Sequence, residues 1–331
     1  MSKLSFGIEF LPAKSIEKLV EYAKLSEEVS IDYIWVTDHY NNRNVYATLT
    51  AMAYATISIK LGTGVTNPYV INPCWTASAI ATIDEVSKGR AVLGIGAGDK
   101  ITLESIGVEW KEPLTTINEA VYIMKKLLNG EKVTFKGKIY NIKNAKLNYK
   151  PSKKIPIYIG AQGPKMLSLA GSLADGVLIN ASHPIDFEYA IKYIKESLEK
   201  REEKIDFFDI VAYTSLSIDE NEEKAKEAAK IVVAFIVGGS PQTILERHDI
   251  NISKASEISN AISKGDFGKA LSLVDDKMLN EFAIVGTPKQ IIEKIDNLRK
   301  IGVTQIVAGS PIGPEMKKSI KLYGEIIKTF K

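Results

Sequence analysis

The residues able to do chemistry in this chain sit where short apolar runs stop. Leu4–Phe10 carries Glu9 near its end, and Tyr33-Ile34-Trp35-Val36-Thr37 runs directly into Asp38-His39. Leu61-Gly62-Thr63-Gly64-Val65 runs to the turn signal Asn67-Pro68, and Ala91–Gly96 leads to Ala97-Gly98-Asp99. Ile157–Ile159 is followed by Gly160-Ala161-Gln162-Gly163-Pro164, and Gly176–Ile179 by Asn180-Ala181-Ser182-His183. Carboxylates beside an imidazole suit proton transfer. Paired glycines let a ligand or another backbone come close. A glycine turn that opens a helix presents free N–H groups to an anion, so Gly160–Gly163 is the expected phosphate turn, with Ala181-Ser182 closing it.

The runs that would position these residues alternate with amphipathic helices. Expected strands are Leu4–Phe10, Tyr33–Thr37, Ile57–Lys60 continuing to the glycines at 62 and 64, and Ala91–Gly96. Ile157–Ile159, Gly176–Ile179, Phe208–Ile218 and Gln305–Ala308 follow. Expected helices are Ser15–Glu28, Val45–Ala55, Pro73–Val86, Leu114–Leu128, a helix through Leu173, Pro184–Lys200, Thr287–Lys300 and Pro314–Thr329. Lys132–Ile142 reads as a hairpin outside the alternation, and residues 221–280 as a helical insertion after strand seven. Eight strand–helix units with parallel crossovers predict one α/β domain over residues 1–331, a (β/α)8 TIM barrel with insertions. A doubly wound sheet is the other arrangement with this pattern. In a barrel, Glu9, Asp38, His39, Gly64, Asp99, Gln162, Asn180 and Ser182 all belong to the C-terminal ends of the strands, where barrel active sites lie.

Composition narrows the classes. Of 331 residues, 45% are hydrophobic and 25% charged, and 43 Lys and Arg against 40 Asp and Glu give a formal +3. That balance gives no argument for nucleic-acid binding and is ordinary for a soluble globular protein. One cysteine, Cys74, allows no internal disulfide. No apolar run reaches membrane-spanning length, and no signal segment is read at the start, so a cytoplasmic location is expected. The three histidines, His39, His183 and His248, are too scattered to give a metal site with recognisable spacing, and no metal is expected. His183 reads as a residue at a helix start, and His248, in the charged insertion, is given no role. In Gly94-Ile95-Gly96-Ala97-Gly98-Asp99 the third glycine of a dinucleotide fingerprint would fall at Asp99, where no helix is expected to open. The glycines are read instead as clearing space beside a flat ligand.

Several of these motifs together resemble the bacterial luciferase-like superfamily: Val36-Thr37-Asp38-His39, Leu61–Val65, Leu93–Asp99, Ile159–Pro164, Ala174-Asp175-Gly176-Val177 and Gly286-Thr287-Pro288. The resemblance spans nearly the whole chain and is closest to the branch that uses the deazaflavin coenzyme F420. It implies an oxidoreductase of methanogenesis and one-carbon metabolism. The implied reaction is hydride transfer from reduced coenzyme F420 to the methylene carbon of 5,10-methylenetetrahydromethanopterin. It also implies a non-prolyl cis peptide at Gly64-Val65 behind the deazaflavin. Implied cofactor contacts are Asp38, Gly64, Val65, Asn67, Gly98, Asp99, Thr102, Gly163, Asn180, Ala181 and Ser182; Gln162 joins them as a neighbour of Gly163. Opening the substrate ring calls for an acid of raised pKa, so the expected catalytic residues are Glu9 or Asp99 as the acid, with His39 polarising or positioning. The family implies a homodimer or homotetramer.

Two positions depart from the sugar-phosphate dehydrogenase branch. His183 stands where that branch has a lysine, and Arg43 where it has a tryptophan, which argues against a glucose 6-phosphate substrate. A secondary-alcohol dehydrogenase, an FMN-dependent monooxygenase and a non-catalytic flavin-binding protein remain as alternatives.

Overall fold

A computed structural model describes residues 4–202 and 204–331. Its strands are β1 (Ser5–Phe10), β2 (Tyr33–Val36), β3 (Lys60–Thr63), β4 (Ala91–Ile95), β5 (Val133–Lys136), β6 (Asn141–Ala145), β7 (Ile157–Gly160), β8 (Gly176–Ile179), β9 (Asp209–Ile218), β10 (Ile284–Gly286) and β11 (Gln305–Ile312). The hydrogen-bonded order is β10-β9-β11-β1-β2-β3-β4-β7-β8, and β9 pairs with β8 as well. The ladder therefore closes on itself, giving an eight-stranded parallel barrel of the luciferase-like TIM type. β10 adds beside the end of β9, Ile284 opposite Leu216, and was not expected from sequence. The antiparallel pair β5–β6 stands outside the barrel as the expected hairpin.

Two sets of elements are compact in themselves: residues 7–179 with 189–211, and the chain up to Phe6 with 180–188 and 212–331. In the first set the strand pleat fixes which side chains point inward. Phe10 packs outward on Tyr22 of the helix Ile16–Glu28, with ring centroids 6.1 Å apart. Glu9, one residue earlier, therefore points to the opposite face, level with Trp35. Trp35 is fully buried, edge-on to Tyr158 at 5.2 Å. The Tyr158 hydroxyl donates to Asp209 at 3.0 Å. Burial, then the Asp209 charge, push that phenol far above its ordinary value, so it stays protonated. This buried aromatic group forms a floor beside Glu9.

In the second set the helices Glu222–Gly239, Gln242–Arg247, Ile252–Ser263, Phe267–Ser272 and Asp276–Phe282 fill the region expected to be an insertion. They carry their own apolar cluster, including Val233, Val237, Ile258, Leu279 and Phe282. Among the described residues no helix is long and apolar enough to cross a membrane.

Caps explain the best-placed boundaries. Asn44 accepts the N–H groups of Tyr46 and Ala47 and starts Val45–Ala55, and Thr287 with Gln290 forms a capping box ahead of Pro288–Lys300. One expected strand segment is corrected. Ile57–Ile59 is not extended ladder, because the Glu27 carboxylate takes the N–H groups of Ile57, Ser58 and Ile59 at 3.0, 2.6 and 2.9 Å. β3 begins only at Lys60.

The glycines of β4 also need correction. A Cβ on Gly94 would lie 2.1 Å from the Thr63 carbonyl oxygen, and one on Gly96 would lie 2.7 Å from the Val65 side chain. They admit neighbouring protein, not a ligand. Thr63 locks the approach: its hydroxyl donates to the Gly94 carbonyl at 2.6 Å and accepts the Gly94 N–H at 3.0 Å. Gly94→Ala is expected to destabilise the protein by about 3 kcal/mol, since the obstructing atom is backbone and cannot turn aside. Denaturant unfolding of wild type and variant measures the difference.

Candidate active site

The β3 end builds the first wall. The Gly64-Val65 peptide is cis. The ladder runs on both sides of it: the Gly64 N–H donates to Val36 before it, and after it the Thr66 N–H donates to Gly94 and the Gly96 N–H to Thr66, at 2.7, 3.0 and 2.9 Å. Thr66 forms an isolated parallel bridge with Ile95. Val65 is thus held with its methyls against Gly96 and against Gly160 of β7, where a Cβ would lie 3.5 Å away.

Asp38 lies at the end of β2. It is half-buried and accepts the Thr66 hydroxyl at 2.7 Å; Thr66 in turn accepts the Tyr46 hydroxyl at 3.2 Å. Burial raises the Asp38 carboxyl above its ordinary range, opposed by the Thr66 bond and by His39. Burial likewise raises the Tyr46 phenol. His39 is exposed and close enough to act electrostatically on both Asp38 and Asp99. The buried Thr37 hydroxyl has no hydrogen-bond partner among the described residues. Glu9 is half-buried.

Asp99 differs from expectation. A six-residue helix, Lys100–Ser105, opens directly after it, and Asp99 is its N-cap, accepting the Thr102 N–H at 2.7 Å. Its partial burial pulls upward, but hydrogen bonds from Thr102 and Ile101 outweigh that and hold the carboxyl below its ordinary range. A capping, ionised carboxylate is the wrong state for an acid of raised pKa. Gly98 precedes it at φ 69, the left-handed region that glycine tolerates, packed toward Leu103 and Asn67. Asn67 accepts the N–H groups of Tyr69 and Val70 at 3.1 and 3.2 Å, closing the turn after Thr66.

Two aromatic pins were not read from sequence. The Trp110 indole N–H donates to the Ala97 carbonyl at 2.9 Å and its ring stacks on Tyr69. The Tyr140 hydroxyl donates to the Pro68 carbonyl at 2.7 Å. Trp110 lies 13 residues from Ala97 and Tyr140 lies 72 from Pro68, beyond any local pattern.

At the end of β7, Gly163 is the N-cap of the helix Pro164–Leu173, and no side chain caps it. A Cβ built on Gly163 meets nothing within 4 Å. This open, uncapped terminus fits an anionic group. Gln162 beside it is exposed.

The set containing residues 180–188 holds the remaining expected contacts. Asn180 is exposed, Ala181 partly buried, and Ser182 is buried with a hydroxyl that has no partner among the described residues. His183 and His248 need correction. Their donor atoms and that of Glu281 lie within 4.8 Å of one another, although the sequence offers no spacing to announce it. His248 is buried, with Nδ1 2.7 Å from Glu281 and Nε2 3.1 Å from both Asp186 oxygens. Burial opposes its charge, but the two carboxylates prevail and raise it. In its charged form the ring donates from both nitrogens, one to Glu281 and one to Asp186.

Comparison with known proteins agrees with the fold. Residues 6–305 match the model of the luciferase-like monooxygenase family. A 5,10-methylenetetrahydromethanopterin reductase of Archaeoglobus fulgidus is 55% identical over 99% of this chain and 100% of its own. One from Methanopyrus kandleri is 46% identical over 100% of both chains. The solved structure of the coenzyme F420-dependent tetrahydromethanopterin reductase from Methanopyrus kandleri superposes with a TM-score of 0.95, at 45% identity and full coverage of both chains. An F420-dependent secondary alcohol dehydrogenase, 22% identical with a TM-score of 0.83 and 99% coverage of both chains, shares the fold.

Asp99→Ala is expected to speed hydrogen exchange at the Thr102 amide by about fivefold, equivalent to about 1 kcal/mol of capping. The folded Asp99 carboxyl titrates below 3.8, so the cap is complete above that pH and is lost as pH falls through the folded value. The wild type and Asp99→Ala amides should therefore converge in strongly acid solution.

Proposed function

The chain belongs to the luciferase-like monooxygenase family, and we infer that within it the protein is a coenzyme F420-dependent 5,10-methylenetetrahydromethanopterin reductase. The observation that carries this reading is Val65, packed on Gly96 and Gly160, with the half-buried Asp38 bonded to the neighbouring Thr66 and the open turn at Gly163, in a chain matching such reductases end to end. The residues present fit a flat, anionic deazaflavin. Val65 offers an apolar face, Asp38 and the unpartnered Thr37 hydroxyl offer polar groups, and the uncapped helix at Gly163 offers N–H groups. Gly64, Asn67, Gly98, Thr102, Gln162, Asn180, Ala181 and Ser182 complete the proposed cofactor contacts. The coenzyme, when bound, supplies the hydride.

The chain's own task is to hold two flat reactants in register and to manage one proton. Glu9 is the proposed acid that protonates the nitrogen leaving the methylene carbon. It points from the inner face of β1 beside the Trp35 floor, and Asp99 is committed as a cap. Asp38, whose carboxyl burial raises, is proposed to face the cofactor ring, with His39 polarising or positioning beside it. The same reading takes the whole chain as one barrel domain, assembled as a homo-oligomer in the cytoplasm, with tetrahydromethanopterin as its substrate partner.

Anaerobic mixing of the protein with reduced coenzyme F420 and methylenetetrahydromethanopterin is expected to restore the oxidised deazaflavin absorbance. Glu9→Gln should lower kcat by about 10²–10⁴-fold, while Asp99→Asn stays within about tenfold. Saturable coenzyme binding without turnover in the wild type would sink the reductase reading. Full activity in Glu9→Gln would sink the acid assignment.

A further inference from the structure

The ionic cluster in the helical insertion faces the stretch after β8. Asp186 occupies the first turn of the helix Pro184–Lys200, where a carboxylate is favoured. One of its oxygens takes the Arg247 guanidinium at 2.8 Å, and both face His248 Nε2. His248 Nδ1 is bonded to Glu281, on the helix Asp276–Phe282, and its ring lies 4.8 Å from Phe282. His183 stands edge-on to His248 at 5.6 Å, with its Nε2 3.7 Å from Glu281. Thus Arg247 and His248, at one turn of the insertion, fasten the start of the helix that follows Asn180-Ala181-Ser182. That stretch holds the buried, unpartnered Ser182 hydroxyl, a group suited to a ligand oxygen.

We propose that His248, clamped between Asp186 and Glu281, is a positioning residue through which the insertion sets the protein's affinity for coenzyme F420. The proposal rests on the reading that Asn180–Ser182 touch the coenzyme. His248 itself is buried and touches no reactant. Its partners are charged, so replacing it by a neutral side chain leaves Asp186 with Arg247 alone and Glu281 with His183 alone. The raised imidazolium contributes fully below its ordinary value near 6.5, and the clamp loosens as pH rises through its folded value. Asp186, held low by His248 and Arg247 against the pull of burial, remains ionised throughout that range.

The test is quenching of oxidised coenzyme F420 fluorescence, followed across pH for wild type, His248→Gln and Glu281→Gln, with thermal melts to confirm folding. His248→Gln is expected to raise Kd about tenfold or more near neutral pH. Turnover at saturating coenzyme should stay within about threefold of wild type. Wild-type Kd should rise with pH through the elevated His248 value, and the variant should not follow it. Glu281→Gln, which spares the buried ring, should shift Kd in the same direction. Unchanged Kd in both folded variants would overturn the proposal, as would a loss in kcat equal to the loss in affinity. One tightly held zinc per purified chain would overturn it too, by making the cluster a metal site. Failure of the wild type to bind the coenzyme would overturn the functional reading and this inference with it.

Discussion

The arrangement of the site depends on side chains that are missing. Val65 is pressed against the backbone of Gly96 and of Gly160, and Gly94 admits the Thr63 carbonyl. Gly160 meets Val65 at ordinary contact distance, but put a methyl group on Gly94 or Gly96 and the β3 end must move away from β4. Because it does not, Thr66 can bridge to Ile95 and reach Asp38 with its hydroxyl. One close approach of backbones thereby fixes the apolar Val65 face and the hydrogen bonding of the half-buried Asp38 carboxyl.

The surrounding loops are held by long-range polar contacts rather than by loop propensity. Trp110 holds Ala97, Tyr140 holds Pro68, and Asn67 closes its own turn. Asp99 then caps a helix with a carboxyl held below its ordinary range. Such fixed loops suit a reaction whose demand on the protein is mainly orientation. The raised Asp38 and the lowered Asp99, both within the electrostatic reach of His39, show one imidazole beside two carboxyls that burial and hydrogen bonding have driven apart.

What the sequence made legible was governed by local rules. Val45–Ala55, Gly176–Ile179, Pro184–Lys200 and Pro288–Lys300 were placed correctly because caps, prolines and apolar periodicity act within a few residues. The strand-end residues were placed for the same reason: a barrel strand announces where it stops. The misses came from distance or brevity. Lys100–Ser105 is too short to show a period. Glu27 captures amides 30 residues away at Ile57 and removes them from the strand. His248 meets Glu281 and Asp186 across 33 and 62 residues, so no spacing rule joins them. The glycines at 94 and 96 were seen but assigned to a ligand, because a sequence does not say which neighbour a missing Cβ makes room for.

The most direct measurement is a crystal structure of the protein grown with oxidised coenzyme F420. The deazaflavin ring should lie against Val65 at the cis peptide, with Asp38 in hydrogen-bond reach of the ring and the phosphate at the Gly163-Pro164 turn. A ring bound away from Val65, or a phosphate held elsewhere with that turn solvated, would contradict the claim that the glycine-lined approach of β3 exists to carry the coenzyme.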